Sequence, residues 1–132
     1  MATITKLEEL EIWQLARVYS KNIASLLKSD SFDTEYGLKQ QMRNASGSVM
    51  DNIAEGFGRG SKNEFINHLT IAKGSLEESR SQLYRCVDCG FIADRTFSAL
   101  LNDSEILVKR ITGLINYLNQ STTKGSKFKN RQ

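Results

Sequence analysis

The sequence has no proline among its 132 residues. A β-rich or loop-rich domain of this size would carry several, so the absence favours long, uninterrupted helices. It has no apolar run near the roughly 20 residues that a membrane span requires. The segment Met1–Lys6 lacks the apolar stretch of a secretory signal, which leaves the cytoplasm as the expected location. Histidine occurs once and cysteine twice. A structural zinc site needs four ligands, and Cys86, Cys89 and His68 supply three. A di-iron bundle needs two Glu-x-x-His motifs, whereas the lone His68 follows Glu64 at the wrong spacing. Metal catalysis is thereby excluded, and no cofactor is expected.

The pair Cys86-Val-Asp-Cys89 has redox-motif spacing. A redox pair sits at a helix N-terminus, where the dipole favours thiolate, but these cysteines fall in the last turn of a helix. They read as reduced, partly buried thiols. With no nucleophile, base or metal constellation, the chain is expected not to be an enzyme.

Acidic residues are missing from the C-terminal end. The chain carries 18 Lys/Arg and 15 Asp/Glu, a net charge of +3. All the acids lie within residues 1–120, together with every base except Lys124, Lys127, Lys129 and Arg131, so the body is nearly neutral and the excess is a short tail. Such a tail offers an electrostatic attachment point for nucleic acid, or serves as a disordered, solubilising terminus.

What is present is helical periodicity. A first helix is predicted over 6–28. Leu7, Leu10, Trp13, Ala16, Ile23 and Leu27 form one stripe, widened by Ile12, Leu15, Tyr19 and Leu26. That width suggests burial on more than one side, by neighbouring helices or another subunit. A polar connection, Ser29–Asp33, follows, with Asp33 or Thr34 as cap. The second helix, 35–57, carries Leu38, Met42, Ala45, Val49, Ile53 and Phe57 on one face. Its small segment Asn44–Ser48 includes Gly47, which costs about 1 kcal/mol of helix propensity and so points to a close helix contact there.

Gly58 and Gly60 are predicted to end this helix in left-handed backbone, and Ser61 with Glu64 forms a capping box for the next. The third helix, 62–89, buries Phe65, Leu69, Ala72, Leu76 and Leu83, with Ser79 in the intervening slot. Gly90 and Phe91 supply a Schellman ending. Asp94 caps a fourth helix, 95–119, in which Phe97, Leu101, Val108, Ile111, Ile115 and Leu118 recur with Ser104 in one slot. Residues 1–120 therefore define an all-α, antiparallel, up-down-up-down four-helix bundle, and residues 121–132 a disordered basic tail.

Polar residues beside the apolar seam are the structural candidates. Asn52 and Glu55 on the second helix are expected to bond across to Arg80 or Lys73 and fix register. His68 reads as a flank or interface residue rather than a base. The run Gly56-Phe-Gly-Arg-Gly60 lacks the preceding strand and the Gly-Lys-Ser/Thr ending of a phosphate loop, so it reads as a helical turn. Candidate phosphate contacts are Lys39 and Arg43, four residues apart, Arg59 at the turn, and Lys62 and Lys73, which share a helix face with Arg80. Solvated helix faces have the same composition.

Three segments, Tyr36–Arg43, Ser48–Gly56 and Ile71–Glu77, resemble a bacterial family of four-helix-bundle proteins. These were first recognised as reading frames in intervening sequences of 23S ribosomal RNA genes. The resemblance spans about residues 7–118. The chain is also similar to the accessory variability-determinant subunits of diversity-generating retroelements, pentameric barrels that bind RNA and a reverse transcriptase through basic surfaces. The resemblance implies a homopentamer with RNA, or an RNA-containing complex such as a reverse transcriptase, as partner. It brings no catalytic activity. Relatives often carry a second basic residue after Arg43, where this chain has Asn44. The alternative is a protein–protein scaffold without a nucleic-acid role, motivated by the broad apolar stripe of the first helix.

Overall fold

The computed structural model describes residues 3–121, and four α-helices account for most of them. They are α1 (Glu11–Leu26), α2 (Tyr36–Gly58), α3 (Lys62–Asp88) and α4 (Asp94–Gln120). Each packs against its chain neighbours, and α4 returns to α1, closing an up-down-up-down bundle. The α2–α3 pair is packed most extensively and α1–α4 least. Arg110, toward the middle of the closing helix, pairs with Glu11 at 2.9 Å, and at its end the Lys62 Nζ donates to the Ser121 carbonyl at 2.8 Å.

The first helix begins later than its pattern predicts. Leu7–Glu9 form a 3-10 turn, in which the Glu9 carboxylate accepts from the Thr5 and Lys6 amides. Leu10 is extended and buried, and α1 starts after it. Leu7 and Leu10 are thus off the helix, which shifts the phase. The core line is Ile12, Ala16, Tyr19, Ile23 and Leu27, with Trp13, Leu15 and Leu26 at its edges.

The polar connection also hides a core residue. Asp30–Phe32 form a 3-10 turn whose Phe32 is fully buried, its ring 5.5 Å from that of Phe91. Its neighbours are all polar, so no periodicity marks it. The cap of α2 is Glu35, with no side-chain bond, rather than Asp33 or Thr34. Likewise Ala93 occupies the cap of α4 and Asp94 its first turn, where the negative charge faces the positive end of the dipole.

Helix ends carried by glycine chemistry follow expectation in part. Ser61 accepts from the Glu64 amide at 3.5 Å, and Gly60 has φ 75. Gly58, in contrast, stays within α2, so one left-handed residue suffices for the turn. Gly90 has φ 76, and the Phe91 and Gly90 amides bond to the carbonyls of Cys86 (2.9 Å) and Val87 (3.1 Å), the Schellman pattern.

The expected apolar faces of α2 and α3 are buried, apart from a half-buried Leu38. On α4 the buried line is Leu100, Ser104, Leu107, Ile111, Leu114 and Leu118, and Phe97, Leu101, Val108 and Ile115 flank it half-buried. The predicted line shares positions 104, 111 and 118 with the observed one and otherwise follows its edge. Several polar atoms inside are paired, whereas Arg80 Nε, Gln82 Oε1 and Thr112 Oγ1 are buried without a hydrogen-bond partner. The Tyr19 hydroxyl bonds Ser79 Oγ at 2.7 Å, and burial pushes its pKa up to about 12. Ser46 and Ser104 donate to carbonyls of their own helices.

Gly47 does not mark the close contact. A Cβ there would meet nothing within 4 Å. The tight point is Gly56, where a Cβ would lie 2.5 Å from the Cβ of His68 on α3. That atom is fixed to the helix backbone and cannot swing away. Gly56→Ala should therefore lose about 1–3 kcal/mol of stability in urea unfolding. Gly47→Ala should gain about 0.5–1 kcal/mol from helix propensity. The reverse ranking would refute this placement of the contact.

Candidate nucleic-acid interface

The α2–α3 seam carries a row of polar contacts. Ser48 Oγ meets Ser75 Oγ at 2.9 Å. The Asn52 amide nitrogen donates to the Ser48 carbonyl and hydroxyl, both at 2.9 Å. Its oxygen then faces His68 Nδ1 at 3.3 Å, which makes that nitrogen the donor. Toward the other end Arg85 donates to Gln41 at 3.4 Å. The expected bonds from Asn52 and Glu55 to Arg80 or Lys73 are not formed. Asn52 reaches Ser48 and His68, and Glu55 pairs within its own helix end with Arg59. The antiparallel register sets Asn52 opposite His68, leaving positions 73 and 80 beyond its reach.

The basic residues fall into two groups. Some are committed within the fold. Arg59 bridges Glu55 at 2.8 Å and Glu64 at 3.3 Å across the α2–α3 turn. Lys62 holds the Ser121 carbonyl. Arg80 bonds Glu77 at 2.7 Å, and only a quarter of its side chain (25%) is exposed. These three are poor phosphate ligands, since each would have to give up an internal partner.

Lys39 and Arg43 are different: neither forms an ion pair among the described residues. Lys39 is half-buried, its Nζ 5.5 Å from the centre of the Tyr36 ring, and Arg43 is exposed one turn further on. Lys73 is half-buried, also without an ion pair, and stands apart on α3. Lys124, Lys127, Lys129 and Arg131 lie outside the described residues.

Sequence reasoning missed the aromatic member of this group. Tyr36 opens α2 and is 73% exposed, the most open of the large apolar side chains among the described residues. A second site of similar character lies on α1, where Arg17 sits 5.7 Å over Trp13 in a shallow depression with Lys21 and Glu8. Between α1 and α4, Leu15, Val18, Tyr19, Asp103 and Ile106 line an apolar groove of about 150 Å³.

No group of three or more potential metal ligands occurs among the described residues, and none of their helices is long and apolar enough to cross a membrane. Cys86 is buried, and burial pushes its pKa up to about 11; Cys89 is exposed.

The helical architecture agrees with the comparisons with known proteins. The chain matches the 23S rRNA-intervening sequence protein family over residues 8–113 and belongs to it. Among solved structures it is similar to a protein of unknown function from the S23 ribosomal protein family of Bacteroides thetaiotaomicron VPI-5482. The TM-score is 0.72 at 22% identity, covering 80% of this chain and 95% of that one, a likeness of fold. No curated protein matches.

Two measurements check the site chemistry. The Arg59 guanidinium bonded to Glu55, aided by His68, holds that carboxyl below its ordinary range. A depressed folded-state value stabilises the fold at neutral pH and loses that effect as pH falls through it. In a carboxyl NMR titration, Arg59→Ala should move Glu55 upward; an unmoved value would refute the pairing. A thiol reagent should label one cysteine, Cys89, in the native protein and both after denaturation. Two fast-reacting native thiols would contradict the burial of Cys86.

Proposed function

We propose that the protein is a non-enzymatic, self-associating RNA-binding module that serves as an accessory to a ribonucleoprotein complex, assembled as a homopentameric barrel. The observation that carries this reading is the start of α2, where Lys39 stands beside the exposed ring of Tyr36 and Arg43 follows one turn on, neither in an ion pair among the described residues. Positive charge held free of internal partners is what phosphate contact requires, and it acts regardless of sequence. The family's connection with ribosomal RNA genes and the ribosomal name of its structural relative point to the same partner class. The basic tail would add to the charge. Partner complexes would include one containing a reverse transcriptase. The apolar groove between α1 and α4, with Val18 55% exposed at its rim, favours self-association. The same groove supports the second reading, a protein scaffold without RNA.

Light scattering on the full chain and on a 1–120 truncation, with and without RNA, tests the proposal. A particle near five chains (about 75 kDa from 14.9 kDa per chain) that gains mass with RNA is expected. The affinity should fall with salt at a log–log slope of about 0.7 per phosphate contact. Lys39→Ala with Arg43→Ala should lower that slope. A monomer would remove the barrel, and an oligomer that retains no RNA at low salt would leave the scaffold reading.

A further inference from the structure

We infer that the exposed stripe of α2 from Tyr36 to Asn44 binds unpaired nucleotides, with Tyr36 as the surface on which a base stacks. The inference rests on the RNA-binding reading and narrows it to one class of nucleic acid. Tyr36 and Arg43 are seven residues apart, two helical turns or about 10.5 Å along one face. Lys39 and Gln40 lie between them, and Asn44 follows. The Lys39 ammonium occupies one side of the Tyr36 ring, while the residue as a whole is 73% exposed. One aromatic face is therefore open beside a cation, an arrangement in which the ring takes a base and the cation its phosphate.

The two amides complete the chemistry. The Gln40 side chain donates to the Asn44 oxygen at 3.3 Å on the exposed surface, leaving further donor and acceptor capacity for the edge of a base. Glu35, one turn before Lys39, and Asp51, two turns beyond Arg43, form no ion pair with Lys39 or Arg43. By contrast Arg59, Arg80 and Arg110 are each paired with a glutamate.

Cations without an ion pair also occur on other solvated faces, such as Arg95 and Lys109 on α4, so what sets this stripe apart is the open tyrosine held beside its cation. Duplex RNA cannot use the ring, because its bases are stacked inside and its wide groove presents hydroxyls and base edges. Unpaired bases can splay out and stack.

The test uses the full chain and fluorescence anisotropy with two probes, an oligouridine of about 12 nucleotides and a duplex RNA of the same length. The wild-type protein should prefer the single strand. Tyr36→Ala should lose roughly tenfold in single-strand affinity and leave duplex affinity unchanged, while Tyr36→Phe retains the preference. Lys39→Ala with Arg43→Ala should weaken both probes alike. Thermal melting of the Tyr36 variants should match wild type, since the ring supports nothing in the core. Equal loss on both probes, no loss on Tyr36→Ala, or tighter duplex binding by the wild type would overturn the inference while leaving RNA binding intact. Failure of both probes to bind would overturn it together with the function on which it rests.

Discussion

The structure depends on how closely α2 and α3 approach at Gly56. A helix pair can come this near only where one partner has no side chain, and here the Cβ of His68 takes the space. Once the two backbones are held there, the register along the rest of the seam is set. Asn52 falls opposite His68, Ser48 opposite Ser75, Gln41 opposite Arg85, and Met42 meets Cys86. Slipping the pair by one residue, about 1.5 Å, would disturb each of these contacts and move His68 off the one position where α2 has no side chain to meet it. Helices α1 and α4 close around this hairpin with looser contacts, joined at one edge by Arg110 and Glu11.

The hydrogen bonds of the seam contribute modestly one by one, about 0.5–1.5 kcal/mol each. Their larger effect is selection. A seam lined only with Leu and Ala would tolerate several registers of similar packing energy, whereas a half-buried amide held by three partners favours one. Asn52 has such a position, bonded to the Ser48 carbonyl, the Ser48 hydroxyl and His68. The Tyr19–Ser79 bond does the same across the middle of the bundle, joining α1 directly to α3.

Much of this was legible in the sequence, for identifiable reasons. The faces of α2 and α3 are regular over six or seven turns, and the serines at 79 and 104 kept their places because a small hydroxyl finds a partner inside, Ser79 on Tyr19 and Ser104 on a carbonyl of its own helix. Ser61 and Gly90 announced helix ends through backbone chemistry that depends on local sequence alone. The failures came where tertiary geometry decides. Phe32 is one apolar residue in a polar stretch, buried because the chain folds back under Phe91. The phase of α1 shifted because Leu7 and Leu10 precede the helix. Gly47 and Gly56 look alike as helical glycines, and only the position of His68 separates them. For the candidate site, Lys39 and Arg43 could be named from charge, but whether a cation has an internal partner cannot. That distinction set aside Arg59, Lys62 and Arg80, and Tyr36 carried no signal other than its neighbours.

An even number of antiparallel helices has a practical consequence. The described chain leaves α4 at Ser121, whose carbonyl Lys62 holds at the first turn of α3, so this point lies at the end of the bundle where α2 turns into α3. Tyr36 and the connections from α1 to α2 and from α3 to α4 lie at the other end. Whatever holds the protein at the Ser121 end would stand roughly the length of α2, about 35 Å, from Tyr36. The architecture thus separates the place where the protein can be carried from the place where it would touch a partner.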